Sequence, residues 1–259
     1  MKVPLLEEYQ KNLNFFESAH YIFSFTKGSL AEKDIQSIAS GQEKCRRNFL
    51  EVFNVESRLK IQYYFFTTAL ECGKQYRLLH KDEYSYNDPD EEVNGYTSYP
   101  DKIFATYNDT IPCIGYHEDV HLLMAEQYGN LKSCFVKEGI ATFFDKVWWG
   151  IDNLYWAKVI LEKGIIKYIE SLYYNEEFFK YKCMYTYPIA GAFTEWLIEK
   201  IGIDEYKKYY QAFIDKLHFP ENSYRQDLVN EFIEYMKNVK VEKEIKDQIS
   251  TCIIKNSGT

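Results

Sequence analysis

The residues most able to do chemistry lie at His117-Glu118-Asp119-Val120-His121, an HExxH run. On a helix, positions i and i+4 share a face one turn apart, so both imidazoles can converge on one ion. Glu118 then sits about 100° round the helix, close enough to reach a water on that ion without ligating it. Two neutral imidazoles suit zinc, and a catalytic zinc site needs a third protein ligand and an open position for water. The bland alternative is an amphipathic helix whose two histidines cap its buried edge. Context has to separate the two, because chance alone places HExxH in roughly one chain per hundred of this composition.

That context supports a site. Val120, Leu122, Leu123 and Met124 can bury the helix, and Gly129-Asn130 offers a stop. The next segment, Phe135-Val136-Lys137-Glu138-Gly139-Ile140-Ala141-Thr142-Phe143-Phe144-Asp145, reads as a second helix. Returning antiparallel after a short connection, it presents Glu138 to the histidine pair, and small Gly139 and Ala141 allow close approach. A solvated glutamate near a helix start, favoured by the helix dipole, is the competing account of Glu138. Asp145, two turns beyond Glu138, and Thr142, one turn beyond, are candidates to orient a ligand imidazole. Asp119 is expected to be solvated. His20, His80 and His218 share no ligand spacing and read as structural or surface residues.

With sixteen residues between His121 and Glu138 in an E-G-I-A setting, the pattern resembles the gluzincins, the thermolysin-type zinc peptidases, and within them small peptidase-MA-like domains. Tyr187-Pro188-Ile189-Ala190-Gly191-Ala192-Phe193 is similar to the helix that follows the third ligand in such domains. The likeness covers roughly residues 18–215. It implies a thermolysin-like zincin fold, one Zn2+ per chain on His117, His121 and Glu138, and a peptide or protein substrate. It also implies Glu118 as general base, taking the water's proton and passing it to the leaving amine. A Tyr of the helical half should assist the oxyanion, Tyr187 first and Tyr185 next. An edge strand should receive an extended peptide, and Lys102–Tyr107 is the candidate. The pattern departs from metzincins, since Met124 and Gln127 stand where Gly and His are needed. No G-x-M-E-N run precedes HExxH in Asp101–Tyr116, so an endopeptidase is expected rather than an aminopeptidase. Two other functions compete: a zinc-binding but inactive domain that binds a protein partner, and a metal-free interaction domain working through residues 81–100.

The elements that must position these residues follow from periodicity. His20–Phe25 alternates as a strand, and Ser29 with Glu32 makes a capping box for a long helix with Ile35, Ile38, Cys45, Phe49 and Phe53 on one face. That helix ends near Asn54. Leu59–Phe66 alternates again, a short helix spans Thr68–Leu79, and the acidic, Tyr-rich residues 81–100 read as a long loop. Lys102–Tyr107 is a third strand, and helix dominates from Gly115 onward. The expected class is α+β: a small mixed-sheet lobe over residues 1–130, carrying the HExxH helix and packed against a mainly helical lobe over 131–259.

The net charge of −8, with signs interleaved, argues against nucleic-acid binding, which needs a basic patch. No apolar run approaches a bilayer span. The first residues, MKVPLLEEYQKN, lack the apolar core of a secretory signal, and the six cysteines show no CxxC pair. Reduced thiols and a cytoplasmic protein are expected, or a secreted one if a leader has been removed. Oligomeric state is open.

Overall fold

The structure is a computed structural model, described over residues 4–80, 92–213 and 222–256, without the side chains of 222–224. It divides into two compact units, Met1–Gln127 and Tyr128–Thr259.

The first unit is built on a five-stranded sheet. Helix α1 (Glu7–Lys11) leads into β1 (Leu13–Glu17) and β2 (Tyr21–Thr26), then α2 (Leu30–Phe53), β3 (Ile61–Phe66), α3 (Ala69–Leu79), β4 (Gly95–Ser98), β5 (Lys102–Thr106) and α4 (His117–Tyr128). The strand order is β1-β2-β3-β5-β4. The pairs β2–β3 and β3–β5 are parallel, joined by the helical crossovers that parallel pairing requires, while β1 and β4 are antiparallel edges. Tyr21, Phe23, Phe25, Ile61, Tyr63, Phe65, Ile103 and Ala105 point to one face and pack with Ile35 and Ile38 of α2 and Leu122 of α4. Phe66, Phe104 and Tyr96 point to the other and pack with Tyr9 and Cys72. Both faces are covered, which is why β2 and β3 read as nearly continuous aromatic runs.

Several sequence expectations shift here. Residues 95–98, expected to be loop, form β4, and 81–91 lie outside the described residues. Gly95-Tyr96-Thr97-Ser98 is short, and the acidic run before it masks its alternation. Strand β5 is not an edge, because β3 and β4 hold both its sides; β4 is the edge. Strand β1 gives no sequence signal, being exposed along most of its length and so carrying no buried-face alternation. The α2 start matches the Ser29–Glu32 expectation with one change. Ser29 Oγ accepts from the Glu32 N–H at 3.3 Å, but Glu32 in turn accepts from Gly28 N–H rather than Ser29. The helix ends at Asn54, whose φ of 47° is left-handed.

The second unit is mainly helical: α5 (Cys134–Asp145), a hairpin of β6 (Val147–Trp148) and β7 (Ile151–Asp152), α6 (Asn153–Glu162), a 3-10 turn (Ile169–Tyr173), α7 (Asn175–Phe178), α8 (Cys183–Ile201), α9 (Ile203–Gln211), α10 (Asn222–Asn238) and α11 (Lys243–Asn256). Its central contact is α5 on α8. A Cβ added at Gly139 would meet the Ala190 carbonyl oxygen at 2.9 Å, and one at Gly191 would meet Thr142 at 2.8 Å. Glycine at both positions lets the two backbones approach this closely. At the level of class, the molecule is α+β with a small mixed sheet. Among the described residues no helix is long and apolar enough to cross a membrane.

Candidate metal centre

Helix α4 opens at His117, so the first histidine lies on the first turn and His121 on the second. Their rings sit edge to face, with centroids 4.9 Å apart, and His121 is buried. The helix stops where Gly129 takes a φ of 89°, the left-handed position glycine adopts most readily.

Three polar tethers fix the start of α4 within its unit. The Gln42 amide clamps Gly115 in both directions: Gly115 N–H donates to Gln42 Oε1 at 2.8 Å, and Gln42 Nε2 donates to the Gly115 carbonyl at 3.0 Å. Asn48 Nδ2 donates to Tyr116 Oη at 3.0 Å. Asp119 is not solvated as expected but 1% exposed, and it accepts a short hydrogen bond from Tyr21 on β2. Helical geometry explains the correction, since residue 119 faces away from 117 and 121 and so into the sheet. Burial pushes its carboxyl up to about 7, against the opposing pull of the Tyr21 hydrogen bond and the Arg46 charge. At the far end of α4, Gln127 Nε2 donates to the Glu56 carbonyl at 2.7 Å, and Ser57 Oγ donates to Glu126 while accepting from Arg46 at 2.7 Å. Sequence reasoning finds none of these anchors. The available signal is that Gln42 and Arg46 fall on the apolar face of α2, where both are buried while Cys45 is only half-buried.

Glu118 is half-buried, and its Oε1 lies 3.4 Å from the position a Cβ on Gly95 would take. The same Cβ would meet Cys113 Sγ at 2.5 Å. The first residue of edge strand β4 thus runs beside the Glu118 carboxylate without a side chain between them.

Glu138 lies on the second turn of α5, 6% exposed, with its Oε1 3.5 Å from Lys137 Nζ. One ligand atom from each of His117, His121 and Glu138 lies within 4.8 Å of the other two. Donors around a tetrahedral ion at about 2.0–2.1 Å stand roughly 3.4 Å apart, a spacing inside that limit. Two imidazoles and a carboxylate are also a donor set that zinc accepts. These three side chains can hold a metal ion.

The remaining candidates fall as follows. Tyr187 is half-buried on α8, its ring 5.5 Å from Trp148 and 6.0 Å from Phe178 by centroids; Tyr185 is buried. Asp145 ends α5 half-buried. Thr142 is fully buried and packs its methyl against Gly191, and its carbonyl accepts from Asn153 at 2.9 Å. His20 pairs with Glu43 at 2.7 Å, and His80 packs tilted against Tyr76 and edge-on to Tyr96. His218 lies outside the described residues. None of the six cysteines is in a disulfide, and burial pushes the Cys134 thiol, on the first turn of α5, up to about 11. A cavity of about 580 Å³ lies elsewhere, along α2 between His20 and Glu56.

No family model matches the chain, and comparison with curated proteins gives no match.

Proposed function

We propose that this chain is a zinc-dependent hydrolase of the gluzincin type, acting as an endopeptidase on peptides or proteins. The observation that carries the proposal is the convergence of His117, His121 and Glu138, with Glu118 carried on the same helix turn as the first histidine. A zinc ion bound there supplies a Lewis-acidic centre and lowers the pKa of water towards neutrality.

The protein's own groups do the rest. Glu118 accepts a proton from the attacking water on its carboxylate and delivers it to the leaving amine, a role worth about 10²–10⁴-fold in rate. Its half-buried position beside Gly95 favours catalysis over a silent zinc domain, because a structural metal site needs no further carboxylate next to it. An extended substrate lies along β4, the free edge on that side among the described residues, where Gly95 puts no side chain beside Glu118. Tyr187 is the proposed oxyanion donor.

The test is a broad peptide-library digest with wild type and Glu118→Gln, both purified without chelator. The amide keeps the carboxylate's shape but cannot take the proton. Cleavage by wild type that Glu118→Gln loses supports the proposal. Equal cleavage by both, or by neither, removes it in favour of a domain that binds zinc without catalysis.

A further inference from the structure

Among the described residues strand β1 is an open sheet edge with one charged guard, Glu17, which pairs with Lys60 at its far end. Its sequence, Leu13-Asn14-Phe15-Phe16-Glu17, has no Pro, no Lys and no bulge, and β2 pairs with it on one side only. Asn12 accepts from Lys27 N–H, and Ser18 N–H donates to Tyr21, so the even-numbered residues turn their backbone groups towards β2. The odd-numbered residues therefore present N–H and C=O outward. Among the described residues Phe15 N–H meets only the Asn14 side chain, at 3.0 Å. Leu13 is 39% exposed and Phe15 71%, both on the same face of the strand. An uncovered apolar edge of this kind is a template for another strand.

The sequence of the edge says which strand. An antiparallel pairing centred on Asn14 sets Leu13 against Phe15 of the second copy and Phe15 against its Leu13. It also brings Lys11, at the end of α1, towards Glu17 of that copy, so that the Glu17 carboxylate, paired with Lys60 in its own chain, gains a second cation. Apolar meets apolar and cation meets anion on one face, and the facing residues are those whose backbone groups point outward. Moving the centre to Phe15 would instead set Leu13 against Glu17, trading an apolar pair for an apolar–charged one. Cross-strand pairs are what stabilise a sheet, so the complementarity fixes the register. We propose that β1 is a self-association edge, through which two copies of this chain join their sheets antiparallel about Asn14.

One short strand buries less than the roughly 800 Å² per partner of a standard interface, so the dimer should be weak, with a Kd of about 10 μM or above. Sedimentation velocity on the full chain, from about 1 to about 300 μM, should show monomer passing to dimer. Phe15→Lys places a charge on an already exposed position and should weaken the dimer at least tenfold with the circular dichroism spectrum unchanged. Ile254→Lys, at another exposed apolar residue, should leave association as in wild type. Register is read with Asn14→Cys. Facing residues outside the hydrogen-bonded pairs stand about 4.5 Å apart at Cα, within disulfide range. Mild oxidation of that variant should therefore yield a peptide pair disulfide-linked through position 14 of each copy. A chain that stays monomeric at every concentration overturns the proposal, as does a dimer indifferent to Phe15→Lys. A dimer in which position 14 does not cross-link overturns the register.

Discussion

The clamp of Gln42 on Gly115 offers a quantitative test of how the first unit holds its histidine helix. Gln42→Ala removes three hydrogen bonds: the two to Gly115, and the one its amide donates to Tyr63 Oη at 3.2 Å. Each bond contributes about 0.5–1.5 kcal/mol net. The Gly115 groups are half-buried and recover some hydration, whereas Tyr63 is buried and does not. Alanine's better helix propensity returns only a few tenths of a kcal/mol, and the space left by the side chain adds a cavity penalty. The expected loss is about 2–4 kcal/mol, or roughly 5–15 °C in Tm for a chain of this size. Because all three ligand side chains remain, zinc affinity should fall by about tenfold or less. Thermal melts followed by circular dichroism, with and without a zinc chelator, measure the first quantity, and chelator competition the second. Gln42→Glu sharpens the test: it keeps an acceptor for Gly115 N–H but loses the donor to its carbonyl and adds charge near buried Asp119. It should be at least as damaging as alanine. A Gln42→Ala melt within about 1 °C of wild type would refute the reasoning, since it would mean the clamp contributes nothing net.

Gly139→Ala should destabilise by about 1–3 kcal/mol through overpacking, because the new methyl meets the Ala190 carbonyl oxygen at 2.9 Å; denaturant titration would read it. Gly95→Val should keep metal content and lower peptide cleavage, since the branched side chain fills the space beside Glu118 and displaces Cys113; unchanged kcat/KM would count against β4 as the substrate edge. Glu43 is raised by burial but more than offset by hydrogen bonds from His20 and Ser18, so its carboxyl lies below its ordinary value. A depressed carboxylate contributes stability above its unfolded pKa that is lost as pH falls through the folded one. His20→Ala should therefore destabilise at pH 5 and above, by less than about 1 kcal/mol, with the difference closing towards pH 3; a loss that grows on acidification would reverse the assignment.

How much is legible in the sequence depends on whether a residue's neighbours lie close along the chain. His117 and His121 are four residues apart on a helix, so their shared face follows from periodicity alone. The α2 start at Ser29 and its end at Asn54 follow from local capping chemistry. Glu138 requires the short connection at 129–133 and a small-residue face, both local signals. The anchors of α4 are hidden because their partners, Tyr21, Gln42 and Asn48, lie about 70–100 residues upstream. Asp119 looks solvated for the same reason: an Asp between two histidines gives no sign of a tyrosine 98 residues away. Strand β4 escapes notice because four residues after an acidic run carry too little alternation, and without it β5 passes for the edge.

The central claim is that His117, His121 and Glu138 hold one zinc ion. The direct measurement is metal content by mass spectrometry on chain purified without chelator and passed through gel filtration, for wild type, His121→Ala and Glu138→Ala. Losing one of three ligands removes much of a site's affinity. The account expects about one zinc per wild-type chain and well under half that in each variant, with all three folded by circular dichroism. Wild type without zinc, or Glu138→Ala retaining a full complement, would contradict it.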